Sequence, residues 1–208
     1  MARTQATDYE AQRAAILDHA AEAFAQAGYA SCTMTEVARQ SGASKARLYH
    51  YYESKEAILY DLLDRHTQGL LDIALGVRER ARREKLAPDV ELRALIASFL
   101  DAYQTARTRH IALLNDVRFL GPAQQEKIRS RERAVVDAFL RALTRAFPKR
   151  VNARNARALT MMLMGAMNWT FTWLKPDGPL TYADYAAEVT RTLFEGLAGQ
   201  GNTEQVRT

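Results

Sequence analysis

Residues 28–59 read GYASCTMTEVARQSGASKARLYHYYESKEAIL, and this stretch decides the fold. Thr33 and Glu36 stand at capping-box spacing, which predicts that the Thr hydroxyl accepts the Glu36 backbone N–H while the Glu carboxylate reaches back. The short helix so started, over 33–41, has Met34, Val37 and Ala38 as its apolar side. Gly42 supplies the permissive φ that a tight helix-to-helix turn needs. Ser44 then caps a second short helix, over 45–52, in which Leu48 is the inward residue. Two short helices about a glycine turn outline a helix-turn-helix, whose second helix enters the major groove of DNA.

The composition of that second helix favours the same reading. A helix that needed only solvation would carry Glu, Gln and Ala. This one presents Lys45, Arg47, Tyr49, His50 and Tyr51 around Ala46, with no acid among them. Donors suit phosphate oxygens and the O6/N7 edge of guanine, and aromatic edges suit thymine methyls and sugars. Thr33, Thr35 and Ser44 are placed to hold phosphates. Ser54 and Lys55 open the next helix, where a free N-terminus and a lysine can hold another. The competing reading is a solvated helical corner with surface aromatics.

The Gly28-Tyr29 pair, the Thr-x-x-Glu-Val-Ala run, Gly-Ala-Ser-Lys, Leu48 through Tyr52, and Ser54-Lys55-Glu56 together resemble the N-terminal domain of TetR-family transcriptional regulators. The resemblance runs without gaps from about Asp8 to Leu63. It implies that the Leu-Tyr-His-Tyr-Tyr string is the recognition helix, that double-stranded operator DNA is a partner, and that a ligand-binding helical domain follows.

Bulk properties are compatible with that reading but do not carry it. The 208 residues suffice for one large or two smaller domains, and no apolar run approaches the ~20 residues that span a bilayer. The opening residues lack the apolar segment of a secretory signal, and the single cysteine, Cys32, cannot pair internally. Both predict a cytoplasmic protein. Cys32 itself reads as a small, partly buried residue rather than a redox sensor. The net charge is +5, yet through residue 60 the cations Arg3, Arg13, Arg39, Lys45, Arg47 and Lys55 are balanced by seven acids. The positive excess lies in 78–85 and 129–157. Only local placement of charge therefore speaks for DNA.

Helical periodicity accounts for the rest of the chain, with no strand-period run and no repeat, so the fold class is all-α. Residues 1–7 predict a loose end, with Arg3 the cation available to a phosphate, and 9–27 a first helix closed by Gly28. Further helices are predicted over 54–85, 90–106, 110–120, 123–147, 153–174 and 182–197. The organisation expected is a helix-turn-helix DNA-binding domain over 1–53, a helical effector-binding and dimerisation domain over 54–200, and a flexible tail over 201–208. The resemblance implies that the 54–85 helix joins the first two as a rod.

The 153–174 segment is the most apolar in the chain, over too much of its circumference for one buried face. With 182–197 it forms the natural homodimer pair, a four-helix interface about a two-fold axis, as the resemblance implies. The same region predicts a small-molecule cavity. Met164, Asn168, Trp169 and Trp173 supply thioether, amide and rings, and Phe99, Tyr103, Asn115 and Phe119 the facing wall. Residue by residue, plain core and dimer packing competes with that reading. The string Gly-Ala-Met-Asn-Trp-x-x-x-Trp followed by Pro-Asp-Gly-Pro-Leu is similar to TetR-family regulators that sense acyl-CoA thioesters. It implies such an effector, phenylacetyl-CoA being the first candidate. A regulator of an efflux or stress operon sensing a hydrophobic drug-like ligand is the alternative.

Nothing in the sequence predicts catalysis, a cofactor or a metal site. His19, His50, His66 and His110 lack metal spacing, and there is no nucleophile elbow, phosphate loop or dinucleotide fingerprint. Two further alternatives stand beside the regulator: a helical interaction module that does not bind DNA, and a metal-responsive regulator using His66 and His110.

Overall fold

The computed structural model describes residues 2–175 and 177–199. The tail expected over 201–208 lies outside them, as do the side chain of Arg3 and the Pro176 step of the 175–180 turn. Among the described residues the chain is helical and has no strand. The helices are α1 (Ala2–Ala27), α2 (Met34–Gln40), α3 (Lys45–Tyr51), α4 (Lys55–Arg83), α5 (Pro88–Thr105), α6 (Arg107–Asp116), α7 (Pro122–Ala146), α8 (Ala156–Asn168), α9 (Thr170–Trp173) and α10 (Tyr182–Ala198). A 3₁₀ turn, Val117–Phe119, follows α6.

Local chemistry explains most boundaries. Gly28 and Gly42 adopt φ of +76° and +63°, a region open to glycine and strained for other residues. After α2 the Ala43 N–H bonds to Ala38 O at 3.0 Å and the Gly42 N–H to Arg39 O at 3.3 Å, the paired bonds of a Schellman ending. Pro88 and Pro122 begin α5 and α7, where a missing N–H costs nothing. Thr181 and Asp184 form a reciprocal capping box at the start of α10.

The helix expected over 110–120 starts at Arg107 and ends in the 3₁₀ turn, and two further elements differ from the sequence reading. The first helix begins at Ala2 rather than Tyr9, because ARTQATDYEAQRAA is rich in good helix formers and nothing in it stops the helix. The expected single helix over 153–174 is two, α8 and α9, divided at Trp169. Two threonines follow the break, with Thr170 Oγ1 donating to Met167 O and Thr172 Oγ1 to Trp169 O, both at 2.8 Å.

The described residues pack as two compact units, one built from residues up to 69 with 106–132 and the other from 70–105 with those from 133 onward. This division differs from the expected boundary at residue 53, which is one of function and not of packing. In the first unit Ile16, Leu17, Ala20 and Phe24 of α1 bury against Val37, Leu48, Ile58, Leu62, Leu113 and Ile128. The helix-turn-helix thus rests on α1 and α4. In the second, Phe99 of α5 meets Phe139 of α7 edge to face at 4.8 Å, among Ile96, Leu143, Met164 and Met167.

Candidate nucleic-acid interface

The helix-turn-helix is assembled by its caps. Thr33 Oγ1 accepts the Glu36 N–H at 3.2 Å, and Ser44 Oγ accepts the Arg47 N–H at 3.1 Å. The reciprocal half of the first capping box is absent. The Glu36 carboxylate turns to Arg39, at 2.6 and 3.2 Å, and to the Gln40 amide, because a cation one turn away outbids a backbone N–H.

Along α3 only Leu48 is buried. Lys45, Ala46, Arg47, Tyr49 and His50 are exposed, Tyr51 is half-buried, and Thr33, Thr35 and Ser44 lie exposed beside them. Lys45 and Arg47 have no ion-pair partner among the described residues, so both guanidinium and ammonium are free for an external acceptor. One short helix therefore offers two uncommitted cations and three rings to solvent, with no carboxylate of its own. The ring of Tyr51 is less free: Tyr9 of α1 stacks on it at 4.8 Å and meets the edge of His50 at 6.4 Å. Sequence reasoning missed Tyr9, since nothing local links a ring in α1 to one in α3.

Lys55 has a different task from the phosphate contact expected of it. Its Nζ donates to Tyr29 O at 2.6 Å, Cys32 O at 2.7 Å and Ala30 O at 3.2 Å, and sits 4.4 Å from the centre of the Tyr29 ring. The ammonium has three protons and all three are taken. The loop between α1 and α2 cannot bond its own carbonyls in a helix, and the lysine satisfies them. Ser54 Oγ likewise caps its own helix by accepting the Ala57 N–H at 3.1 Å. The side chain of Cys32, in this loop, is buried, and burial pushes its thiol up, away from reactivity.

The residues expected to line an effector cavity are not all brought together. Phe99, Tyr103 and Met164 lie in the core of the second unit, where Tyr103 donates its hydroxyl to Asn168 Oδ1 at 2.8 Å. That bond supplies the partner a half-buried amide requires. Asn115 and Phe119 belong to the first unit. Asn115 is exposed, and Phe119 stacks on Tyr29 at 4.9 Å. Trp169 and Trp173 are exposed, with Trp173 edge-on to Tyr185 at 5.0 Å.

The open volume in the second unit lies elsewhere. One groove of about 660 Å³ runs between α5 and α10, past Arg93, Ala97, Asp101, Ala186 and Phe194. Another, of about 460 Å³ and mostly apolar, runs between α8 and α10, past Leu159, Met162, Leu163, Val189 and Leu193. None of the eight expected effector contacts lines either.

His66 and His110, far apart in sequence, do meet. His66 Nε2 lies 3.3 Å from His110 Nδ1, and both rings are buried. Among the described residues no third His, Cys, Asp or Glu joins them in a group that could hold a metal.

Residues 16–62 match the model of bacterial regulatory proteins of the tetR family, and residues 85–197 that of the tetracyclin repressor-like C-terminal domain. The HTH-type transcriptional regulator BetI of Paraburkholderia phytofirmans is 32% identical over 97 residues, 47% of this chain and 48% of BetI, so the chain spans about half the length of that relative. The crystal structure of a TetR-family regulator from Bordetella parapertussis 12822 superposes with a TM-score of 0.81 at 29% identity, covering 94% of this chain and 98% of that one. AibR, in complex with isovaleryl coenzyme A and operator DNA, superposes with a TM-score of 0.74 at 25% identity, covering 88% and 98%. A helix-turn-helix with an uncommitted basic, aromatic second helix, and a C-terminal model matched over 85–197 of 208 residues, place this chain in the TetR family of transcriptional regulators.

Proposed function

We propose that the chain is a cytoplasmic transcriptional repressor that binds a palindromic operator as a homodimer and leaves it when a small-molecule effector binds. The observation that carries the reading is α3: a capped, seven-residue helix with one side chain inward and its cations uncommitted. Thr33, Thr35, Ser44 and Lys45 hold phosphates, and Arg47, Tyr49, His50 and Tyr51 read bases or the adjoining sugars, with Ala46 leaving room for a thymine methyl. DNA contacts are confined to residues 1–53, and effector and dimer contacts to 54–200. Arg47→Ala is expected to weaken operator binding by roughly 1–3 kcal/mol while leaving non-specific binding almost unchanged. Equal binding to operator by that variant would remove Arg47 from the readers.

Dimerisation falls to α8 and α10. Met162 and the apolar groove beside it leave a continuous hydrophobic face open in one chain, the mark of an interaction surface. Light scattering is expected to give twice the 23.4 kDa chain mass. For the effector we take an acyl-CoA thioester, phenylacetyl-CoA first. The 165–173 string and the likeness to AibR, with its isovaleryl coenzyme A, support the class. Phe99, Tyr103, Met164, Asn168, Trp169 and Trp173 are its candidate contacts.

Fluorescence anisotropy with DNA from upstream of its own gene, at fixed salt, tests both levels. Release of operator by an acyl-CoA and not by free CoA is the expected result. Binding indifferent to every thioester would discard the effector and keep the repressor, and release by hydrophobic drugs alone would favour an efflux regulator. No sequence preference at low salt would discard the repressor.

A further inference from the structure

The recognition helix ends at Tyr52, its C-cap, whose side chain turns inward and is 4% exposed. The Tyr52 hydroxyl donates to Asp61 Oδ2 of α4 at 2.6 Å and accepts from Arg13 Nε of α1 at 3.2 Å. Arg13 Nε also lies 3.0 Å from Asp61 Oδ2, and the Arg13 guanidinium sits 5.7 Å from the centre of the Tyr52 ring. Asp61 Oδ1 takes Arg65 Nε at 3.0 Å, and Glu10 Oε2 takes a terminal nitrogen of Arg65 at 2.9 Å. Glu10 Oε1, 3.5 Å from Arg13, closes the circuit. Four charges from α1 and α4 therefore form a ring, and the one phenol that enters it belongs to the end of α3. Burial, and then the Asp61 carboxylate, pushes the Tyr52 phenol well above its ordinary value, so it stays a donor throughout the physiological range.

We propose that the Glu10–Arg13–Asp61–Arg65 ring, gripping the Tyr52 hydroxyl, is a positioning device that sets the angle of the recognition helix on its support and so fixes operator specificity without touching DNA. The inference rests on the DNA-binding reading above. Its physical basis is geometric. A seven-residue helix with one buried residue, Leu48, can rock about that residue, and a bidentate anchor at its far end removes the freedom. A recognition helix docked at the wrong angle keeps its phosphate attraction but loses aligned base contacts.

Tyr52→Phe removes the oxygen and keeps the ring, so the fold survives it. Asp61→Asn keeps the volume and removes the charge that holds both arginines. Each variant is titrated with operator and with a scrambled duplex of equal length across a salt series, alongside its thermal unfolding. The ratio of operator to scrambled affinity is expected to fall roughly three- to ten-fold in Tyr52→Phe, the range one lost hydrogen bond supports, and further in Asp61→Asn, with scrambled binding and salt slope unchanged. A merely structural role lowers both affinities together by shrinking the folded fraction and leaves the ratio alone. An unchanged ratio in both variants, or a parallel fall on the two duplexes, would overturn the positioning role while the repressor stands. A wild-type protein that does not distinguish the duplexes would overturn both.

Discussion

Lys55→Ala is expected to destabilise the protein by about 2–4 kcal/mol and to leave the salt dependence of DNA binding as it was. Truncation removes the ammonium from three carbonyls and from the face of the Tyr29 ring at once. A hydrogen bond to a charged group contributes about 1.5–3 kcal/mol, and here water replaces part of what is lost because the lysine is only half-buried. The Tyr29, Ala30 and Cys32 carbonyls lie in the loop that leads into α2, so the loss loosens the entry to the helix-turn-helix itself. Urea unfolding measures the first effect and anisotropy across a salt series the second. A phosphate-holding lysine would give the opposite pair of results: stability near wild type, and a salt slope lower by about one released ion. That outcome would return Lys55 to the DNA interface.

The Lys55 case shows which parts of this fold are legible in the sequence. The boundaries of α2 and α3 follow within a residue from Thr33, Gly42 and Ser44, because a cap or a left-handed turn is settled by neighbours three or four residues away. The exposure of Arg47 and the burial of Leu48 follow from helical spacing around the same caps. Lys55 could be read only as a cation at a helix start, since the carbonyls it meets lie 23 to 26 residues earlier and carry no sequence signal. The Tyr52–Arg13–Asp61 network is invisible for the same reason.

In the C-terminal half the difficulty is of another kind. Residue chemistry alone cannot tell an aromatic that lines a cavity from one that fills a core or waits on a surface. Phe99 is buried, Trp169 is exposed, and Phe119 lies against Tyr29, although all three suit a ligand equally well by type. The break at Trp169 also escaped, because neither glycine nor proline stands at it to mark an end.

Acidification is expected to destabilise the wild-type protein through His66. Its imidazole is buried against that of His110, and burial, then the neighbouring imidazole, then Arg109 hold its pKa down at about 3, against 6.5 in the unfolded chain. Above pH 6.5 the ring is neutral in both states and protonation costs nothing. Below 6.5 the unfolded chain takes up a proton that the folded protein refuses, so stability falls with pH by up to about 1.4 kcal/mol per unit until the folded pKa is reached. Between pH 6.5 and 4.5 this amounts to about 2–3 kcal/mol from one residue. His66→Leu is expected to be less stable than wild type at pH 7.5, where it leaves His110 without its ring partner. The gap should then close or reverse at pH 4.5, where only the wild type carries the His66 penalty. Carboxylates titrate in both proteins and cancel in the difference. Parallel stability curves for the two proteins across that window would mean that His66 is protonated in the fold, with its charge held by the His110 ring 3.3 Å away. Above a folded pKa of about 3 the folded protein keeps the His66–His110 pair neutral and closed, so over this window His66 is expected to lower the folded fraction and to leave the operator affinity of the folded protein unchanged.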